Sequence, residues 1–157
     1  PGGAAVEQKQ IAFVIEMALE REERAFAFYE DLAGKVEDKT ARDILLLLRN
    51  EEKKHKEFLE QYRKTGAASG GLRMTDVVDY KLAEHLTQPD IRKKMDGKDV
   101  YLVAAHRELN SYHFYKALAD MHPDGKSKDI FLRMANEEMK HKEKVEYLYS
   151  NTAFPEA

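Results

Sequence analysis

The residues best suited to chemistry in this chain are acids and histidines that occur twice in the same pattern. Each copy has one isolated Glu, followed 30 residues later by the motif Glu-x-x-His. The members are Glu22, Glu52 and His55 in the first copy, and Glu108, Glu138 and His141 in the second. Carboxylate oxygens with a few imidazole nitrogens are typical ligands of iron or manganese. A single Glu-x-x-His would mean little in a chain this rich in Glu, so the argument depends on the repetition.

The two copies belong to a longer internal repeat. Shifting the chain by 86 residues aligns residues 14–62 with residues 100–148 and gives roughly 19 identical pairs. Matched stretches include Phe28-Tyr29 with Phe114-Tyr115, and Asn50-Glu51-Glu52 with Asn136-Glu137-Glu138. A period this long is not that of a solenoid. We interpret it as two halves of one helical bundle, each half an antiparallel helix pair.

Apolar residues recur at three- and four-residue steps over most of the chain, which predicts an all-α protein with four long helices. Asp38 has the residue type and position of an N-cap for the second helix, and Gly66 those of its C-terminal end. The third helix is expected from about Asp99, as N-cap, to about Met121. The fourth is expected to end near Ser150.

A long connection at residues 65–98 separates the two halves, and its residues 75–86 are a candidate for a short helix. A helix of about 25 residues is about 37 Å long, and a connection of this size can run that length back. We therefore predict a crossover along the bundle that leaves the third helix parallel to the second. The whole chain, residues 1–157, is expected to form a single domain.

The helical pattern places these acids and histidines where a bundle core is normally apolar. Glu22 falls on the same helical line as Ala18 and Ala25, and Glu108 has the equivalent position. Burying an unpaired carboxylate costs several kcal/mol, and four together would also repel one another. Two divalent cations would balance the four negative charges, with two neutral imidazoles completing the ligand set. The alternative is a bundle without metal, in which the Glu side chains extend to solvent and the histidines are structural.

Composition excludes several other functions. The formal net charge is −3 and the pI is about 6.1, which argues against a nucleic-acid-binding surface. The chain has no cysteine, which excludes disulfides, thiol catalysis and thiolate-bound iron. No run approaches the roughly 18 apolar residues of a membrane span, and no segment resembles a signal peptide. We therefore expect a cytoplasmic protein without a membrane or nucleic-acid partner.

The two Glu and two Glu-x-x-His motifs, with the Phe-Tyr-x-x-Leu-Ala stretches that begin at Phe28 and Phe114, resemble a known family. This is the ferritin-like di-iron carboxylate superfamily, most closely its rubrerythrin branch, and the resemblance covers about residues 7–150. It implies a ferritin-like four-helix bundle that binds two irons, with manganese or zinc as alternatives. In that pattern Glu52 and Glu138 bridge the metals and are the catalytic carboxylates. One metal is completed by Glu22 and His55, and the other by Glu108 and His141.

The family pattern and the helical geometry also suggest roles for residues around the ligands. Glu51 is a candidate to accept a hydrogen bond from His141, and Glu137 one from His55, which would fix both imidazole rings. Tyr29 and Tyr115 lie two turns after the first Glu of each copy, close enough to hydrogen-bond a ligand or to act as an electron source. Their alternative role is that of aromatic core residues with satisfied hydroxyl groups.

Some positions depart from the family pattern. Rubrerythrins carry an iron–tetracysteine domain, which this chain lacks the cysteines to form, so an electron donor would be a separate protein. Rubrerythrins also have Glu at the positions of Ser111 and His141, so the site predicted here is more symmetric. Lys53 stands where bacterioferritins have the Met that binds haem, and we therefore expect no haem.

These departures leave two functions open. The leading prediction is a di-iron oxidoreductase that reacts with H2O2 or O2, of the peroxidase or ferroxidase type, with a role in oxidative stress. The alternative is an iron-binding or iron-storage ferritin-like protein without specialised peroxidase activity. Residues 151–157 are too few for the fifth helix of cage-forming ferritins. We therefore expect a small oligomer, with a homodimer preferred over a cage.

Overall fold

The computed structural model describes residues 2–66 and 72–155, without the side chains of residues 2–8. Five helices make up most of these described residues: α1 (Gly2–Ala33), α2 (Lys39–Thr65), α3 (Leu82–His85), α4 (Gly97–Asp120) and α5 (Lys126–Ala153). The described residues contain no β-strand, and Val36 and Met95 form an isolated bridge. The predicted all-α class is confirmed. None of the helices in these ranges is long and apolar enough to cross a membrane.

The two ends of α2 agree with the sequence. The Asp38 carboxylate accepts a hydrogen bond from the Ala41 amide at 2.8 Å, which satisfies one of the free N–H groups of the first turn. Gly66 ends the helix with a φ of 67°, and its N–H donates to the Tyr62 carbonyl at 2.8 Å. Only glycine takes this left-handed conformation without a steric penalty, so residue type decides where α2 stops.

Two expectations about the second half are corrected. The N-cap of α4 is Asp96, and Asp99 lies in the first turn, where its negative charge interacts favourably with the helix dipole. Within residues 75–86 only Leu82–His85 is helical. The residues before it form no helix, and their backbone groups bind side chains of α5, for example the Val78 amide to Glu143. Part of the predicted crossover, residues 67–71, lies outside the described ranges.

The predicted direction of the helices is confirmed by their contacts. The start of α4 lies beside the start of α2, since a Cβ on Gly97 would meet the Cβ of Ala41 at 3.6 Å. The end of α2 meets the start of α5, where the hydroxyl oxygens of Tyr62 and Ser127 are 3.2 Å apart. Helices α2 and α4 are therefore parallel, and α5 runs opposite to both. The crossover covers the length of the bundle.

The apolar core is divided into two clusters. One contains Tyr29, Leu45, Leu48, Val103 and Val145, with their neighbours toward one end of the bundle. The other contains Ile15, Leu59, Tyr115, Phe131 and Met134, toward the opposite end. On each long helix the predicted ligands lie between these two clusters in the sequence. The fold therefore holds a polar layer at mid-height, closed on both sides by apolar side chains.

Candidate metal centre

The structure brings together all six residues that the repeat singled out, one from each of α1 and α4 and two from each of α2 and α5. Their exposed fractions are 7% or less: Glu22, Glu52, His55, Glu108, Glu138 and His141. On α2 and α5 the Glu-x-x-His spacing places both ligands on one face, because residues three apart are neighbours on a helix. The sequence therefore builds a buried group of four carboxyl groups and two imidazoles.

These side chains form two overlapping sets whose candidate ligand atoms lie within 4.8 Å of one another. The first set is Glu22, Glu52, His55 and Glu138, and the second is Glu52, Glu108, Glu138 and His141. Glu52 and Glu138 belong to both sets. Two carboxylates shared between two sets have the positions of bridging ligands. Each set also has one terminal Glu and one His of its own.

The two imidazoles direct their Nδ1 atoms at the carboxylates. Nδ1 of His55 lies 3.0 Å from Oε1 of Glu138, and Nδ1 of His141 lies 3.4 Å from Oε1 of Glu52. The rings stack nearly parallel, with 5.5 Å between centroids and an interplanar angle of 9°. The two halves of the repeat thus meet face to face at the bundle axis, and each histidine contacts the shared carboxylate of the other half.

Burial and mutual repulsion shift the ionisation of the acids. Burial and the neighbouring charge of Glu52 raise the pKa of Glu22 to about 8. Burial and the charge of Glu108 raise the pKa of Glu138 well above its usual value. Burial acts in the same direction on Glu52, but the close side chains of Glu22, His141 and His55 outweigh it and hold the pKa of Glu52 well below its usual value. Not all four acids are therefore ionised together at neutral pH.

The pKa values of both histidines are raised, although burial alone would lower them. Burial would lower the pKa of His141, but the carboxylates of Glu108 and Glu52 raise it to about 10. Carboxylates likewise raise the pKa of His55 well above its usual value. The cluster therefore carries protons that balance the negative charge of its acids. A cation that binds there must displace those protons, which couples metal affinity to pH.

The residues present fit a pair of metal ions. Several buried polar atoms of the six side chains form no hydrogen bond within the described chain: Glu22 Oε2, Glu52 Oε1, both ring nitrogens of His55, Glu108 Oε2, both carboxylate oxygens of Glu138, and His141 Nδ1. Most buried polar groups have a partner, so eight unpaired atoms at one place call for a further explanation. Hard oxygen donors with one nitrogen in each set are suited to iron or manganese.

Both predicted tyrosines reach the cluster, and each does so across the repeat. Tyr29 donates its hydroxyl hydrogen to Oε1 of Glu108 at 2.7 Å, and Tyr115 donates to Oε1 of Glu22 at 2.5 Å. Burial, followed by the charge of the facing carboxylate, raises the pKa of both phenols well above 10. They are therefore neutral donors that orient the two terminal Glu side chains.

The predicted partners of the imidazoles lie beside the cluster but bind lysines. Glu51 accepts a hydrogen bond from Lys54 at 3.2 Å, and Glu137 one from Lys140 at 3.1 Å. A carboxylate oxygen of Glu137 comes within 4.8 Å of ring nitrogens of His55 and His141. Neither carboxylate forms a hydrogen bond with a histidine among the described residues. The orienting role of Glu51 and Glu137 stays a prediction.

Sequence reasoning missed a pair of contacts that accompany the tyrosines. Arg21 lies over the ring of Phe114 at 4.4 Å, and Arg107 lies over the ring of Phe28 at the same distance. Each Arg directly precedes a terminal Glu, and each Phe directly precedes a tyrosine. The matched residues at an offset of 86 contained this signal, but only the packing of α1 against α4 shows that the contacts cross between halves.

Comparisons with known proteins agree with this geometry. Residues 99–156, which contain most of α4 and all of α5, match the family model described as Rubrerythrin. The predicted resemblance to this branch of the ferritin-like di-iron superfamily is confirmed by that match. A hypothetical protein from Pyrococcus furiosus has the same fold, with a TM-score of 0.63 and 21% identity over 92% of this chain and 90% of its own. No curated protein sequence matches the chain.

Proposed function

We propose that this chain is a di-iron carboxylate oxidoreductase that oxidises its bound iron(II) with H2O2 or O2. The observation that supports this most is the pair of overlapping ligand sets that share Glu52 and Glu138. Two metals held this close by common carboxylates can act together on one small oxidant. The Rubrerythrin match over residues 99–156 supports the same chemistry.

The proposed ligand assignment follows the two sets. Glu22 and His55 would hold one iron, Glu108 and His141 would hold the other, and Glu52 and Glu138, which belong to both sets, would be shared between them. When bound, the two iron(II) ions supply the two electrons that, with two protons, reduce one H2O2 to two water molecules. Manganese or zinc would fit the same donors, but zinc has no redox chemistry.

The protein orients the metal ligands, excludes bulk water from the site and controls the protonation of the ligands. The apolar clusters above and below the polar layer keep bulk water out, which strengthens every charge interaction inside. Tyr29 and Tyr115 fix the terminal carboxylates through their O–H groups. The raised pKa values of His55 and Glu138 keep both side chains protonated at neutral pH in the absence of metal. Both would release their protons when cations bind.

The oxidised centre must be reduced again by another molecule if the chain is an enzyme. The chain has no cysteine and so has no iron–sulfur relay of its own. We propose a separate electron-donor protein for this step. The predicted homodimer and the cytoplasmic location belong to the same proposal.

Rapid mixing of the iron(II)-loaded protein with H2O2 and, separately, with O2 tests the activity. We expect oxidation at least tenfold faster than that of free iron(II), followed by absorbance in the near ultraviolet. Glu138→Gln should lose this fast phase, and Glu57→Gln, which changes an exposed carboxylate on the same bundle, should keep it. Oxidation no faster than that of free iron would overturn the proposal.

The symmetry of the site favours iron storage as a second candidate. Each ligand set has one terminal Glu and one His. The additional Glu residues of the specialised peroxidases are absent, because Ser111 and His141 occupy their positions. Size-exclusion chromatography after iron loading separates the two functions. Storage predicts a large particle that holds many more than two irons per chain. An oxidoreductase predicts a small oligomer with about two irons per chain.

A further inference from the structure

A non-helical segment of the crossover, which begins at Leu72, is held on the outer face of α5 by side chains that bind its backbone. Asn136 makes two hydrogen bonds with residue Thr75, one to each of its backbone polar groups, at 3.0 and 2.9 Å. Lys140 donates to the Arg73 carbonyl at 2.9 Å. Glu143 accepts from the Val78 amide at 2.6 Å. The face therefore binds a peptide through backbone groups, which any sequence offers.

Further contacts complete this arrangement along α5. Arg133 donates to the Leu72 carbonyl at 2.8 Å, at the N-terminal end of the segment. Lys142 pairs with Asp79 at 2.6 Å, and Glu146 accepts from the Ala83 amide at 2.8 Å. Six side chains of one helix face thus hold the crossover, which runs in the same direction as α5.

The outer face of α2 repeats this set of side chains. The offset of 86 relates Asn136, Lys140, Lys142, Glu143 and Glu146 on α5 to Asn50, Lys54, Lys56, Glu57 and Glu60 on α2, with identical residue types. Five of the six positions therefore agree, and the sixth is Leu47 in place of Arg133. The fraction of identical positions on this face is well above that of the repeat as a whole, in which fewer than half of the aligned positions are identical.

The face of α2 is open in the described chain. The Lys54 side chain is 68% exposed, whereas the equivalent Lys140 under the crossover is 28% exposed. The hydrogen bonds of Asn50 and Lys54 are local ones, with Arg49 and Glu51. A groove of about 370 Å³ lies along this face, lined by Asp43, Leu46, Leu47, Asn50, Glu51 and Lys54.

The residue types on this face indicate what would occupy it. An Asn amide both donates and accepts, Lys donates to carbonyl groups, and Glu accepts from amides, so together they satisfy a peptide backbone. Backbone N–H and C=O groups are free along a segment without regular secondary structure, because a helix already satisfies most of its own. A helical face of a second copy would leave these side chains without such partners. The exposed Leu47 adds one apolar contact at the N-terminal end.

We propose that the outer face of α2 binds a non-helical peptide segment of a partner protein in the way that α5 binds residues 72–78. The segment runs in the direction of α2, with an apolar residue over Leu47 and backbone groups on Asn50, Lys54 and Glu57. An acidic side chain further along the segment, equivalent to Asp79, faces Lys56, which also pairs with Glu23 at 2.9 Å. This binding does not depend on metal or on the proposed activity.

A peptide with the sequence of residues 72–80 serves as the probe, because it is a segment of the required chemistry. Titrated into the full-length, isotope-labelled protein, it should shift the amide signals of residues 47–57 and the side-chain amide of Asn50. Asn50→Ala and Lys54→Ala should each weaken binding roughly fivefold or more, as expected for loss of two backbone hydrogen bonds and one backbone hydrogen bond, respectively. Lys144→Ala, which changes an exposed lysine on α5 instead of α2, should leave the affinity unchanged.

Three outcomes would overturn the proposal. The first is the absence of shifts at α2 with millimolar peptide, and the second is binding that survives both alanine substitutions or is matched by a scrambled peptide. The third is a change in oligomeric state caused by Asn50→Ala or Lys54→Ala, since a second copy would then occupy the face. Circular dichroism of the variants checks that they remain folded, as expected for substitutions at exposed positions.

Discussion

Tyr29 on α1 donates a hydrogen bond to Glu108 on α4, with 2.7 Å between the phenol oxygen and Oε1. Tyr115 makes the reciprocal bond from α4 to Glu22 on α1. Each half of the repeat therefore orients the terminal carboxylate of the other half. A buried carboxylate held by one donor keeps its other oxygen directed into the polar layer, and Oε2 of both Glu22 and Glu108 is unpaired in the described chain.

Tyr29→Phe should destabilise the protein by about 1–2 kcal/mol, because it leaves a buried carboxylate oxygen without its donor. The effect of Tyr115→Phe should be similar, since the two bonds are equivalent. Chemical denaturation measures both. Tyr147→Phe is the control, because Tyr147 is half exposed, and its effect should stay within about 0.5 kcal/mol. Equal effects of all three substitutions would contradict a special role for the buried pair.

Glu138→Gln should lower metal content while stabilising the protein in the presence of a chelator. The pKa of Glu138 is raised, so ionising this carboxyl costs free energy, and a neutral amide of the same shape avoids that cost. We expect a gain on the order of 1 kcal/mol at pH 8, and at most one metal per chain instead of about two. Elemental analysis and denaturation measure the two effects.

Glu137→Gln is the matched control for this substitution, since Glu137 neighbours Glu138 but pairs with Lys140. It should change metal content little if Glu137 only orients an imidazole. A loss of stability in chelator-treated Glu138→Gln would contradict this prediction. It would show that the contact between Glu138 and His55 stabilises the fold by more than the burial of the carboxylate destabilises it.

Chelator-treated protein should lose stability as pH rises from about 6 to 9. The pKa of Glu22 is raised to about 8, and that of His141 is raised to about 10. The folded state therefore binds more protons than the unfolded state over this range, so the free energy of unfolding falls with pH. The loss should be on the order of 2 kcal/mol. Denaturation curves at pH 6, 7.5 and 9 measure it.

The same pH series has two controls. Glu22→Gln should reduce the pH dependence, because its amide does not titrate in this range and the contribution of His141 remains. Saturating manganese(II) should also flatten or reverse it, since bound cations replace the protons of the site. Stability that rises between pH 6 and 9 in the presence of chelator would contradict the shifted pKa values.

Lys142→Met should destabilise the protein by about 3 kcal/mol and loosen the crossover. Lys142 is fully buried and pairs with Glu84 at 2.9 Å and Glu146 at 3.1 Å, in addition to Asp79. Removing the cation leaves the buried Glu146 without its positive partner, which is the costly way to break such a network. Hydrogen exchange should accelerate across residues 75–86. Lys144→Met, at an exposed position two residues later, should have neither effect.

The sequence by itself determined the helices and the identity of the clustered residues. Periodicity predicted four long helices, and capping residues such as Asp38 and Gly66 marked the ends of α2, because these signals act over a few neighbouring residues. The repeated Glu-x-x-His predicted which acids would be buried, since three-residue spacing on an amphipathic helix fixes the face. The predicted start of the third helix near Asp99 was wrong by a few residues. The predicted bounds of the short helix within residues 75–86 were also wrong, because contacts with α5 determined the conformation of that segment.

Only the tertiary structure decided which residues meet across the repeat. A repeat relates Tyr29 to Tyr115 and Glu22 to Glu108, but it cannot say whether each tyrosine binds the acid of its own half or the other. The antiparallel packing of α1 and α4 resolved this, since it sets Tyr29 against Glu108 and Tyr115 against Glu22. The same holds for the two faces that share residue types. Helix α5 is covered and α2 is open because one crossover can lie along only one of them.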